Sequence, residues 1–298
     1  MLGVVVLNYN DAETVEKNIS KIRDYSVIDH IVIVDNSSTD NSYDRLKKLC
    51  SDRIDVVKTD RNGGYGYGNN FGIKYLIKNY NVDYIAITNP DVVYSEDALM
   101  KCASFLETHR TEKYAVCAPK MKNIHGKYVR SAWETPRLDD YLTGRLSFVG
   151  RRDRYKYIDI KPEFGFAECG CVAGSMLVIN SKLFIEMGMY DENIFLYCEE
   201  SVIGIKCQRN GFKSALLYDC FFVHAHSVSI DKSIASKCKQ NTLLWKSRKY
   251  VLRAYYQVKG LWWLLIWSVQ LLSMLEVMLR QAKHRVLKWG FFQNRKTR

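Results

Sequence analysis

Proline is scarce, with four in 298 residues, which leaves no room for long Pro-rich linkers. The chain has no GxxxxGK[ST] phosphate loop, and no GxGxxG follows its first apolar run, so P-loop nucleotide hydrolysis and Rossmann-type hydride transfer are excluded. Its nine cysteines contain no CxxC pair, and only Cys169 and Cys171 lie close together. That scatter predicts reduced thiols in a cytosolic protein rather than a metal or disulfide framework. The start, MLGVVVLNYNDAE, lacks the basic stretch and the long apolar core of a secretion signal, so a cytoplasmic location is expected. Internal repeats are absent. Acid is missing from one region only: from 240 to 298 the single acid Glu276 faces twelve Lys and Arg. Of the net charge of +12, only +1 is left for everything before, so a nucleic-acid surface across the folded part is not expected.

A hydrophobic share of 47% and a charged share of 26% fit an ordinary globular fold. Strand-length apolar runs, VVVLNY, HIVIVD, IDVVKT and YIAITN, alternate with helical stretches at 12–24, 42–49 and 69–79. That order predicts an α/β fold with a doubly wound, mostly parallel sheet and ligands at the carboxyl ends of its strands. Polar clusters fall at those ends: Asn8 and Asn10, then 35–40, then 60–64, then 89–91. Each alone is what turns and helix caps are made of. Four in succession, with acids or amides beside glycines, read better as one binding edge. From 120 to 166 the sequence has little periodicity and reads as loops over the site. Beyond it, CVAGSMLVIN reads as a strand, 181–187 as a short helix, a further helix ends near 210, and KSALLY and CFFVHAH read as two short strands.

VVVLNYND, IVIVDNSSTDNS, RNGGYGYGNNFGI, ITNPDV, VAGSMLVI, FLYCEES and VHAHSVS occur in that order between Val4 and Ser229. Together they resemble the family 2 glycosyltransferases, inverting enzymes of GT-A fold, and within them the rhamnosyltransferase-like branch that builds bacterial surface polysaccharides. The resemblance implies a nucleoside-diphosphate sugar donor, dTDP- or UDP-linked with rhamnose among the candidate sugars, and a lipid-linked glycan acceptor. Asp35 matches the acid that contacts the nucleoside; Asn8, Asn10, Asn62, Gly63 and Asn89 fall with it in the nucleotide pocket. Asp91 matches the last acid of the DxD-type motif, whose first position Asn89 fills, and so implies a Mg²⁺ or Mn²⁺ ion against the diphosphate. The alternative for Asp91 is a cap ahead of a helix near Asp97.

Glu199 and Glu200 match the family's "ED" pair, with Glu200 where the catalytic base is usually Asp. Ser201 and Val202 depart from the frequent ED-x-D pattern, and the plain alternative is a helix start, where the dipole favours acids. His224 matches a histidine near metal and diphosphate, with Ser229 completing an H-x4-S spacing, whereas His226 has no counterpart.

These matches divide the chain into a catalytic domain, 1–239, with a nucleotide-binding half (1–95) and an acceptor and catalytic half (96–239), and a basic helical tail, 240–298. In the tail, LWWLLIWSVQLLSMLEVML is nearly long enough to cross a bilayer but is interrupted by Ser268, Gln270, Ser273 and Glu276. Tryptophans flanked by Lys and Arg fit an amphipathic helix lying on the inner membrane face, which would make the enzyme peripheral. A helix packed on the catalytic domain and a transmembrane hairpin are the alternatives. For the whole chain the rival to an enzyme is a non-catalytic nucleotide-sugar-binding or scaffold protein of the same fold.

Overall fold

The apolar runs become strands and the amphipathic stretches become helices. β1 (Leu2–Asn8), α1 (Ala12–Ile22), β2 (His30–Asp35), α2 (Ser42–Leu46), β3 (Ile54–Lys58), α3 (Tyr65–Tyr80) and β4 (Tyr84–Thr88) form the alternating first part. There follow β5 (Val92–Tyr94), α4 (Glu96–Thr108), β6 (Tyr114–Lys122), β7 (Ala132–Trp133), α5 (Leu138–Thr143), β8 (Phe166–Cys169) and β9 (Cys171–Val172). β10 (Met176–Asn180), α6 (Ser181–Glu186), α7 (Glu199–Arg209), β11 (Lys213–His224), α8 (Lys237–Ala254) and α9 (Trp262–Lys296) complete the order. This computed structural model describes residues 1–143, 165–224 and 236–296. The chain divides into a sheet unit, Met1–Thr135 with Arg154–Ser233, and a helical unit, Pro136–Asp153 with Ile234–Arg298.

The sheet runs β3-β2-β1-β4-β10-β6-β11-β5, with β8 also on β11. β1 to β4, β6 and β11 point one way, and β5, β8 and β10 oppose them. Valines 4, 5 and 6 show why β1 is central: all are fully buried, so the strand must be covered on both faces. Val4 and Val6 join the layer of α1 and α4, while Val5 faces the layer of α3, α6 and α7. Each such side chain contributes about 1.5–3 kcal/mol of burial.

Two sequence expectations change. Tyr114–Lys122, whose last residues fell in the supposed loop, is a nine-residue strand in the middle of the sheet. Pro119 hid it; β10 pairs only with Val116 and Cys117, so the missing N–H of Pro119 interrupts no ladder on that side. KSALLY and the CFFVH part of the second run form one strand, β11, with an irregularity between Leu217 and Phe221 where it passes along β6.

In the helical unit, α8 and α9 pack together, Ser273 Oγ reaching Asn241 Oδ1 at 3.3 Å, with Ile266 and Val269 buried. Between Trp262 and Leu279 the helix also carries exposed apolar residues, namely Trp262, Leu264, Trp267, Leu271, Leu275, Met278 and Leu279. Trp262–Ala282, with a mean hydropathy of 1.6, is long and apolar enough to cross a membrane.

Candidate active site

At the carboxyl ends of β1 and β2, Asn8 and Asp35 are register partners, and both are buried. Asn8 Nδ2 donates to Asp35 Oδ2 at 2.9 Å and to Ser38 Oγ at 3.1 Å, and the Ser38 N–H donates to Asp35 Oδ1 at 2.9 Å. Both Asp35 oxygens therefore already accept a bond, one from β1 and one from within the β2 loop. Asn10 does the same nearer the surface, where its side chain exchanges bonds with Thr39 at 2.8 and 3.0 Å.

Asn36, which the sequence did not single out, holds the glycine-rich turn. Its Nδ2 donates to Asn62 Oδ1 (3.1 Å) and the Gly64 carbonyl (3.0 Å), and its Oδ1 accepts from Thr59 (3.2 Å). Gly63 lies under the Tyr67 ring. Gly64 has φ +93°, and a Cβ there would stand 2.2 Å from the Phe195 carbonyl oxygen, so only glycine fits. The adjoining Tyr65 N–H donates to that same oxygen at 2.9 Å. The glycine-rich turn is thus fastened to FLYCEES.

The end of β4 carries NPD. Ser95, not Asp91, caps α4, its hydroxyl accepting from the Ala98 N–H, so Asp91 is released from the capping role that was its alternative. Its side chain is 5% exposed, and Oδ1 stands 3.3 Å from Nε2 of His224, which β11 brings beside β5. Asp91 Oδ1 is buried and accepts no hydrogen bond. A buried carboxylate oxygen that meets an imidazole without a hydrogen bond is under-satisfied, at a cost of about 1–3 kcal/mol, unless a ligand completes it. One carboxylate and one imidazole fit the protein's share of a divalent-ion site whose other ligands are phosphate and water. Among the described residues no third His, Cys, Asp or Glu joins them. His226 and Ser229 lie outside the described residues.

Glu199 and Glu200 open α7, as the dipole reading expects. The two residues before them, Tyr197 and Cys198, have φ of 72° and 74°. Two consecutive non-glycine residues in the left-handed region cost about 1–3 kcal/mol each, and such strain gathers where side chains must be aimed. Burial and the nearby Glu200 charge push the Glu199 carboxyl up to about 8. Burial also raises Glu200, against which the Gly174 N–H donates to its carboxylate. The two carboxyls titrate together, and burial favours the protonated form of both.

Gly174 joins these parts. A Cβ there would sit 2.8 Å from Glu200 Oε1. Its carbonyl accepts from the Tyr65 hydroxyl at 2.7 Å, and the carbonyl of the next residue, Ser175, accepts from the Asn89 N–H at 2.8 Å. NPD, the glycine-rich turn and the Glu pair meet across two residues of VAGS. Asn70 adds a second tie, donating to the Tyr190 carbonyl and to Glu192 Oε1 at 3.0 and 2.9 Å.

Residues 3–177 match the profile described as Glycosyl transferase family 2. The low-salt glycan biosynthesis hexosyltransferase Agl10 of Haloferax volcanii is 25% identical over 238 residues, 78% of this chain and 69% of that one. The N-acetylglucosaminyl-diphospho-decaprenol L-rhamnosyltransferase of Mycobacterium tuberculosis is 25% identical over 255 residues, covering 78% of each. The crystal structure of GalNAc-T7 with UDP, GalNAc and Mn²⁺ superposes with a TM-score of 0.56 at 16% identity, over 76% of this chain and 44% of that one. The chain thus spans less than half of GalNAc-T7, and the likeness establishes the GT-A fold. With a fitting profile over more than half its length, the chain belongs to glycosyl transferase family 2 and is a glycosyltransferase.

Proposed function

We propose that the enzyme is a metal-dependent inverting glycosyltransferase that moves a sugar, rhamnose among the candidates, from a dTDP- or UDP-linked donor to a hydroxyl of a lipid-linked glycan. The observation that carries this reading is the Gly174–Ser175 junction, which ties Asn89 of NPD to the Glu200 carboxylate. In this reading Glu200 takes the proton of the acceptor hydroxyl as its oxygen attacks the anomeric carbon and the bond to the diphosphate breaks. Glu199 stays protonated beside it, which keeps the negative charge on one carboxylate. Asp91 and His224 would hold a Mg²⁺ or Mn²⁺ ion, which supplies charge neutralisation to the leaving diphosphate. Asn8, Asn10, Asp35, Asn62, Gly63 and Asn89 would frame the nucleotide.

The same proposal assigns 1–95 to the nucleotide, 96–239 to acceptor and catalysis, and 240–298 to a cytoplasmic membrane face. The exposed apolar side of α9 and the +11 balance of the tail support the last assignment. The test is release of nucleoside diphosphate from a panel of dTDP- and UDP-sugars by purified protein, with Mn²⁺ and with chelator. Metal-dependent release establishes catalysis, and binding without turnover leaves the scaffold reading. For the tail, truncation after Gln257, or glutamate at the exposed Trp267 and Leu271 together, should abolish sedimentation with phosphatidylglycerol vesicles and leave turnover of a soluble acceptor intact.

A further inference from the structure

At the strand end that carries the Asp91–His224 pair, the opposite face of β6 and β11 holds a ladder of cations and rings that the donor chemistry does not use. Lys120 Nζ lies 3.9 Å from the Tyr128 ring centre and 4.7 Å from that of Tyr218; Lys122 Nζ lies 3.5 Å from Phe221 and 4.7 Å from Tyr128. Strand register puts them together: Lys120 pairs with Phe221, Lys122 with Val223, and Val223 with Val93.

This face belongs to the side of Glu200. Val116 and Ala118 of β6 pack in the layer of α6 and α7, and strand alternation carries Lys120 and Lys122 to the same side. Two residues beyond Tyr128, the Arg130 guanidinium lies 4.9 Å from the Trp133 ring centre, and Trp133 pairs with Cys171. Against Cys171 packs Gly204, where a Cβ would meet its Sγ at 2.6 Å. Gly204 and Glu200 are i and i+4 on one face of α7. His224, one residue past Val223, follows Phe222 to the layer of α1 and α4, so the Asp91–His224 pair flanks the same strand end from the opposite face, while the ladder extends about 10 Å back along β11.

Among the described residues neither Lys120 nor Lys122 has a carboxylate partner; the nearby acids are committed elsewhere, Asp219 to Lys101 and Glu168 to Lys213. The rings position the ammonium groups, at about 0.5–1 kcal/mol each for exposed pairs, but leave two full positive charges uncompensated. Tyr128 and Phe221 are each 44% exposed, offering flat apolar surface beside those charges. Paired cations flanked by open rings suit a ligand that is both doubly anionic and carbohydrate.

We propose that Lys120, Lys122, Tyr128 and Phe221 form the acceptor cradle, holding the diphosphate of a diphosphate-linked sugar while its hydroxyl lies toward Glu200. This rests on the glycosyl-transfer reading. The probes are a short-chain alkyl diphosphate-linked N-acetylglucosamine and the matching neutral alkyl glycoside. Each is titrated calorimetrically into full-length protein with excess dTDP, UDP and Mn²⁺ filling the donor pocket. The diphosphate probe should bind at least about tenfold more tightly than the neutral one. K120Q/K122Q should erase that preference at unchanged melting temperature and nucleotide affinity, and K120R/K122R should restore it. A preference retained in K120Q/K122Q, or absent from the wild type, overturns the cradle. A lysine-dependent preference in a protein that turns over no nucleotide sugar removes the transfer reading and leaves the cradle standing. If K120Q/K122Q loses sedimentation with phosphatidylglycerol vesicles yet keeps its preference for the diphosphate probe, the lysines serve lipid headgroups and the proposal fails.

Discussion

The two halves of the sheet's polar edge treat their hydrogen-bonding atoms in opposite ways. Around β1 to β3, Asn8, Asp35, Asn36, Ser38 and Thr59 satisfy one another, so the pocket wall is complete before any ligand arrives. Around NPD and α7, Asp91 Oδ1 and Glu199 Oε1 are buried without a hydrogen bond, and the backbone entering α7 is strained at two successive residues. The first half is a frame, and its contribution is rigidity. The second holds unmet bonds and strain, which substrate and ion would relieve in the proposed reading.

Breaking the second half should have the largest effect. Glu200→Gln keeps size and the Gly174 N–H contact but cannot accept a proton, so kcat should fall by about 10²–10⁴ with nucleotide affinity retained. If Glu199→Gln is the more damaging change, the base is the residue before. Gly174→Ala, which forces a methyl against Glu200 Oε1, should lower kcat by about tenfold while nucleotide still binds. Asp91→Ala ranks beside Glu200→Gln and above Gly174→Ala, expected to lose at least about a hundredfold in turnover while remaining folded, with chelation of the wild type giving a similar loss. Turnover that survives both measures would remove the metal from the reaction.

Breaking the frame should read out mainly as stability. Asn36→Ala strips donors from Asn62 and Gly64 and leaves the Thr59 hydroxyl without one of its acceptors. The cost should be about 1–3 kcal/mol in urea unfolding, with turnover per folded molecule changed far less than by Glu200→Gln. A large activity loss at unchanged stability would mean that Asn36 touches the nucleotide directly.

Much of this fold is legible because β1 to β4 obey local rules: unbroken apolar runs, helices of the right period, polar residues at each strand end. β6 is not legible, because Pro119 and two lysines mask a strand whose burial comes from β10 and β11, both distant in sequence. In the candidate site, Asp91, Glu199, Glu200 and His224 stand out as charged or ligating residues in a recognisable order. Asn36, Tyr65, Asn70 and Gly174 do not, because they act through backbone carbonyls and N–H groups, and a sequence shows no partner for those. Gly174 shows in the sequence only as one residue of VAGSMLVI, with nothing to mark it as the junction.

The smallest effect on turnover, and the one that sharpens the comparison most, belongs to Glu199→Gln read against pH. The folded protein holds the Glu199 proton up to about pH 8, whereas the unfolded chain releases it near the usual carboxylate value. Between those two points the unfolded state binds fewer protons, so stability falls as pH rises and the loss is complete above about 8. Glutamine carries no such proton. The variant's melting temperature should therefore exceed that of the wild type at pH 9, and the difference should shrink steadily toward pH 4.5. Glu200→Gln gives the cross-check: without the neighbouring charge, burial alone holds Glu199 up, so the pH dependence of stability should persist but over a narrower range. A melting difference independent of pH would show that Glu199 is ionised in the folded state, and the two halves of the edge would then differ in strain and in Asp91 Oδ1 alone.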